Sequence, residues 1–148
     1  MTSKMLKAAP DHHDAEIVMT LYDLRREPVM RASREALNKD FWPKSVDDVL
    51  ALTKHDHPLN TPFRQVAGYW EMAYGMVKHG ILHGDFMLES GGEGLFVFAR
   101  VKPYLAQLRE VSGPRAFINT EWVANHSEFA REHMARLDAR VAQMAKAK

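Results

Sequence analysis

Apolar positions recur at three- and four-residue steps along most of this 148-residue chain, the spacing of helices that bury one face. The densest such run is 61–79. Thr61-Pro62 offers a side-chain oxygen to cap the first free N–H groups, then a proline where no N–H is needed. At about 100° per residue, Phe63, Val66, Ala67, Trp70, Ala73, Tyr74 and Val77 share one wide apolar face. The other side holds Gly68, Met72, Gly75 and Met76, which leaves Arg64, Glu71 and Lys78 as a narrow charged stripe. A helix apolar almost all round is a buried one, so this segment is expected at the centre of the fold, ending at His79-Gly80. Gly68 and Gly75 fall on one face, and each costs about 1 kcal/mol against alanine. They point to a helix approaching closely there; the alternative is a ligand slot walled by Met72 and Met76.

The flanking segments read as shorter helices. Pro10-Asp11 opens the first, with Asp14 and Glu16 placed favourably against its dipole. Pro28 divides or bends the run that ends near Asp40. Ser45-Val-Asp-Asp48 starts a short helix in the manner of a capping box, and His55-Asp56-His57-Pro58 is a loop. After Gly84-Asp85 comes a short helical piece, and Ser90-Gly-Gly-Glu-Gly94 reads as a flexible turn. Leu95–Val101 has the β-branched and aromatic content of a strand. No second strand exists to pair with it, and an unpaired strand leaves its backbone groups unsatisfied. A helix from about Glu93 to Val111 is therefore expected, with Pro103 as a kink or restart. Asn119-Thr120 can cap a last helix running to about Ala145. On it Ala130, Met134, Leu137, Val141 and Met144 form a seam like that of a coiled coil. Two fates are open to this seam: packing on the domain, or pairing of its far half with a second copy. The expected fold is all-α, a single domain of about six helices around 61–79. Residues 1–9 form a loose tail, and 126–148 a C-terminal helix that protrudes or dimerises.

Composition narrows the function classes. The chain is 46% hydrophobic and 26% charged, ordinary for a globular domain, and its net charge of +1 does not advertise nucleic acid or an anionic membrane. It has no cysteine, which removes disulfides and thiolate metal sites and fits a reducing cytoplasm. The N-terminus lacks the apolar core of a signal peptide, and the expected location is cytoplasmic. Eight histidines raise the question of metal, but there is no HExxH and no paired Glu-x-x-His. His55 and His57 could give two imidazoles from one loop, short of the four ligands a structural site needs. No nucleophile elbow or phosphate loop is present, so no catalytic residue and no cofactor is nominated.

Charges beside aromatic residues are more informative. Trp70-Glu71, Arg109-Glu110 and Glu121-Trp122 each lie where a helix passes from core to surface. Arg109 is expected to meet Glu71 or Glu121 in a partly buried, bidentate pair that fixes helix docking.

Tyr69-Trp-Glu71, Val77-Lys-His-Gly80-Ile-Leu82, Val101-Lys-Pro-Tyr-Leu105, Leu108-Arg109 and Asn119-Thr-Glu-Trp122 come in an order that resembles an uncharacterised bacterial family of short helical domains. The resemblance covers about 60–125 and departs from the family's acidic turn at His83 and Gly84. It implies a helical fold and supplies no mechanism.

Three functional readings follow. The first is a non-catalytic interaction domain that self-associates or binds a protein partner, with Met134, Leu137, Val141 and Met144 as interface. The second is an enzyme or small-ligand sensor with a methionine- and aromatic-lined pocket between helices, drawn from Trp70, Glu71, Met72, Tyr74, Met76, Arg109, Glu121 and Trp122. The third, a nucleic-acid module, is disfavoured by the dilute basic charge.

Overall fold

The computed structural model describes residues 6–148, and among these the regular structure is entirely helical. Local chemistry sets most boundaries. Helix α1 (His12–Arg25) begins with a reciprocal box: the Asp11 side chain accepts from the His13 and Asp14 N–H groups, and Asp14 accepts from the Asp11 N–H. Pro28 is the first residue of α2 (Pro28–Asp40), capped by the Glu27 carboxylate, so the proline separates two helices. Ser45 caps α3 (Val46–Ala51). After the central helix α4 (Asn60–Lys78), Gly80 adopts a left-handed φ of 74°. The Gly80 and Ile81 N–H groups then reach back to the Val77 and Met76 carbonyls, a Schellman closure that only glycine takes without strain.

The second half is more broken than the sequence predicts. It holds α5 (Gly84–Leu88), α6 (Glu93–Val101), a 3₁₀ turn at Lys102–Tyr104, α7 (Leu105–Ser112), α8 (Ile118–Asn125) and α9 (Glu128–Ala145). Leu95–Val101 is helical as expected, and Pro103 marks a restart. Nine α-helices among the described residues replace the expected six. The single helix expected over 119–145 is two, because Ser127 takes an extended conformation and caps α9 through its hydroxyl, accepting from the Ala130 N–H at 3.0 Å.

Helices α2, α6 and α8 pack on α4, and α9 packs on α6. Phe63, Val66, Trp70, Ala73, Tyr74 and Val77 are buried as the helical wheel predicts. The helix is not walled in on all sides, however. Thr61, Arg64, Gln65, Gly68 and Met72 form an open stripe, with Met72 58% exposed. The two glycines have parted company. At Gly75 a Cβ would stand 2.9 Å from the Asn119 amide of α8, whereas at Gly68 it would meet nothing within 4 Å. Thr61-Pro62 does not form the cap either. The helix starts at Asn60, whose buried amide donates to the Leu52 carbonyl at 2.7 Å.

The glycine-rich stretch 90–94 is a tight seat for aromatic rings, not a flexible turn. Trp70 and Tyr74 stack with centroids 5.4 Å apart, and the Tyr74 hydroxyl donates to the Gly91 carbonyl at 2.8 Å. A Cβ on Gly94 would fall 2.6 Å from the Tyr74 ring and 2.7 Å from Trp70 Cβ. Arg100, inside the most apolar helix, is 3% exposed. Its Nη1 donates to the Leu37 and Phe41 carbonyls at 3.0 Å, closing the C-terminus of α2, and its guanidinium lies over the Phe41, Trp42 and Phe96 rings. Burial lowers its pKa to about 10, so it remains a cation at neutral pH.

In the expected tail, residues 1–5 lie outside the described residues. Lys7, by contrast, is held, with its ammonium 2.8 Å from the buried Asp14. No helix among the described residues is long and apolar enough to cross a membrane.

The two glycines give a paired prediction. Gly94→Ala should destabilise the fold by about 1–3 kcal/mol through overpacking, while Gly68→Ala in dilute protein should stabilise it by up to about 1 kcal/mol. Urea denaturation of both variants checks the difference in sign.

Candidate functional site

The residues expected to line a pocket are drawn together, but as a joint between helices. Phe117 precedes α8 with a left-handed φ of 59°, and no side chain of its own segment caps that helix. Glu71 of α4 does so from outside. Its carboxylate accepts from the Thr120 N–H at 2.7 Å, the Thr120 hydroxyl at 2.6 Å and the Asn119 N–H at 3.2 Å. Asn119 returns the contact, its amide donating to the Glu71 carbonyl at 3.1 Å. A carboxylate at a helix N-terminus satisfies free N–H groups and faces the positive end of the dipole.

Arg109 buttresses the same segment. Its Nε donates to the Ala116 carbonyl at 3.0 Å and its Nη2 to Glu121 at 3.1 Å. The pair with Glu121 is made, through a single N–H group and not the expected two, because the Nε beside it serves the Ala116 carbonyl. Trp122 is half-buried and stacks on His126.

The other candidates do not converge on a cavity. Trp70 and Tyr74 fill the core, and the Trp70 indole donates to Glu93 at 3.2 Å. Glu93 also takes the Arg34 Nε through both oxygens, at 2.9 and 2.8 Å. Sequence reasoning passed over this pair, although an acid flanked by glycines just ahead of an apolar helix was its signal. Met76 is half-buried against the core. Met72 instead lines an open groove between α2 and α4, together with Val29, Met30, Gly68 and Tyr69, and with Glu27, Arg64 and Gln65 at its margins.

The α9 stripe faces inward: Met134 is buried, Leu137 and Val141 pack on the core, and Met144 is half-buried. His55 is exposed, and His57 accepts the Leu59 N–H through Nδ1. Among the described residues no group of three or more His, Cys, Asp or Glu side chains is placed to hold a metal ion.

A second polar cluster was not foreseen. Ser127 donates to Asp85 at 2.6 Å, and His126 Nε2 lies 3.5 Å from the same oxygen, while His126 Nδ1 faces the Val123 carbonyl at 2.6 Å. The three residue types are those of a hydrolase triad, but the arrangement is not. The serine hydroxyl gives its proton to the carboxylate and accepts a helix N–H, so no base is set to activate it. Nearby, buried Asp14 accepts from the Lys7 ammonium and from the N–H groups of Asp11 and His83, each at 2.8 Å. Burial alone would raise its pKa; the ammonium and the two N–H groups outweigh that and hold it at about 2.

Residues 10–127 match the family described as a domain of unknown function, DUF4760. The chain belongs to this family. The DUF4760 match takes in α1–α8 and ends at the cap of α9, so α9 lies beyond the matched residues. Every residue that carried the resemblance lies inside it, from Tyr69 to Trp122. No curated protein and no solved structure matches the chain.

Two predictions follow. Glu71→Ala should cost about 2 kcal/mol in urea unfolding by stripping the α8 cap, with Glu71→Gln milder because one acceptor oxygen survives. For Asp14 the folded pKa of about 2 lies below the ordinary 3.8. Its contribution is therefore complete above about pH 4 and is lost as pH falls toward 2. Thermal unfolding across that window should show wild type losing its advantage over Asp14→Asn.

Proposed function

We propose that this DUF4760 domain works by binding and without catalysis, in the cytoplasm, through self-association on its α2/α4 groove. The observation that supports this reading is an apolar depression left open on the helix that organises the core. Val29 and Met72 are 56% and 58% exposed, and Tyr69 lines the same groove. Single exposed apolar residues need no explanation, but contiguous ones flanked by charges mark interaction surfaces. The polar residues that first invited a ligand reading are engaged in holding helices together: Glu71 with α8, Arg109 with Ala116 and Glu121, Tyr74 with Gly91. The α9 stripe is a poorer surface for the same role, because its Met134 is buried and its Leu137 and Val141 rest on the chain's own core.

Light scattering on the full chain during size-exclusion chromatography tests the proposal. A concentration-dependent dimer is expected, and Met72→Asp should shift it toward monomer with the helical circular dichroism unchanged. A monomer at every concentration overturns the reading.

A further inference from the structure

The chain's eight glycines set one position apart. Gly80 and Gly113 hold positive φ values of 74° and 101°. At Gly75, Gly84, Gly91, Gly92 and Gly94 the space of a Cβ is already occupied by atoms of Asn119, His126, Met87, His133 and Tyr74 at 2.3 to 2.9 Å. Gly68 alone has neither reason. It sits mid-helix with φ outside the positive range and no heavy atom within 4 Å of where a Cβ would lie. A helix-interior glycine costs about 1 kcal/mol, and its common use is to let another backbone come close. Nothing in the described chain makes that approach.

The surroundings of Gly68 say what could. Helices α2 and α4 run antiparallel along the groove: Ser33 bonds to Gln65 at 2.6 Å, while Val29 and Met30 lie beside Gly68, Tyr69 and Met72. Glu27 therefore stands at the Met72 end and Arg64 at the other, with Gly68 between them. Both charges are exposed, and Arg64 has no ion pair among the described residues. Glu27 accepts the Val29 and Met30 N–H groups, and its carboxylate stands at the groove's edge. An apolar strip with opposite charges at its two ends is complementary to itself when turned by 180°, the condition for an isologous pair.

Resting on the self-association reading, we propose that the partner in the groove is a second copy of this chain. The two α4 helices cross at Gly68 about a two-fold axis, and Arg64 of each copy meets Glu27 of the other. Met72 of each copy is covered by the aliphatic stem of the opposing Arg64. The missing Cβ atoms let the two backbones touch, and the two charge pairs fix the register.

The absence of cysteine makes the test clean. Met72→Cys places one thiol in the groove beside the proposed axis and leaves Gly68 free for the close approach, and Gln107→Cys places one on the exposed side of α7. Treatment of the full-length variants with a flexible bis-maleimide should give a covalent dimer from Met72→Cys and little from Gln107→Cys. Adding Arg64→Glu should weaken pairing about tenfold, and adding Glu27→Arg to that variant should restore most of it. Circular dichroism confirms that each variant is folded. A Met72→Cys chain that is dimeric by light scattering yet fails to cross-link overturns this interface and leaves self-association standing. Cross-linking indifferent to Arg64→Glu overturns the proposed register. A chain that stays monomeric overturns both proposals.

Discussion

The architecture hangs on one carboxylate. Helix α8 is eight residues long, opens after a left-handed Phe117, and has no capping side chain of its own. A helix that short is not stable alone, and its first N–H groups need acceptors. Glu71 brings those acceptors from the organising helix, and Asn119 closes the contact from the other side. With α8 fixed, Arg109 ties α7 and the 113–117 loop to it, and Asn119 covers the Gly75 end of α4.

The same device recurs. Asp14 of α1 accepts the His83 N–H ahead of α5, and Arg100 of α6 closes the carbonyl end of α2. A chain cut into many short helices has many unsatisfied ends, and here charged side chains from other helices meet them. Such bonds fix orientation more than they add net stability, since each charge is also taken partly out of water. Two residues of this kind, Glu71 and Arg109, stand among those that carry the family resemblance.

What the sequence made legible was local. Pro28, Ser45, Gly80 and Pro103 act on their own backbone, and each boundary fell where they put it. The buried face of α4 was readable because period and apolarity agree there. Its open face was not: Gly68 and Gly75 are equivalent on a helical wheel, and only the position of α8 decides which is covered. Glu71 could be singled out as a charge beside a core aromatic, but its partners lie 48 and 49 residues away. Ser127, which caps α9 locally, also bonds to Asp85, 42 residues distant. Arg100 was the clearest missed signal, a lone cation in the most apolar stretch of the chain.

The groove left open between α2 and α4 lies on the organising helix itself. Three residues past Gly68 on that helix, Glu71 holds α8 in place. Amide hydrogen exchange at Asn119 and Thr120 probes that joint most directly. In the wild-type chain both amides should exchange as slowly as the α8 interior at Val123; in Glu71→Ala they should become fast together with α8, while α6 stays protected. Equal protection of Thr120 with and without the Glu71 carboxylate would contradict the account.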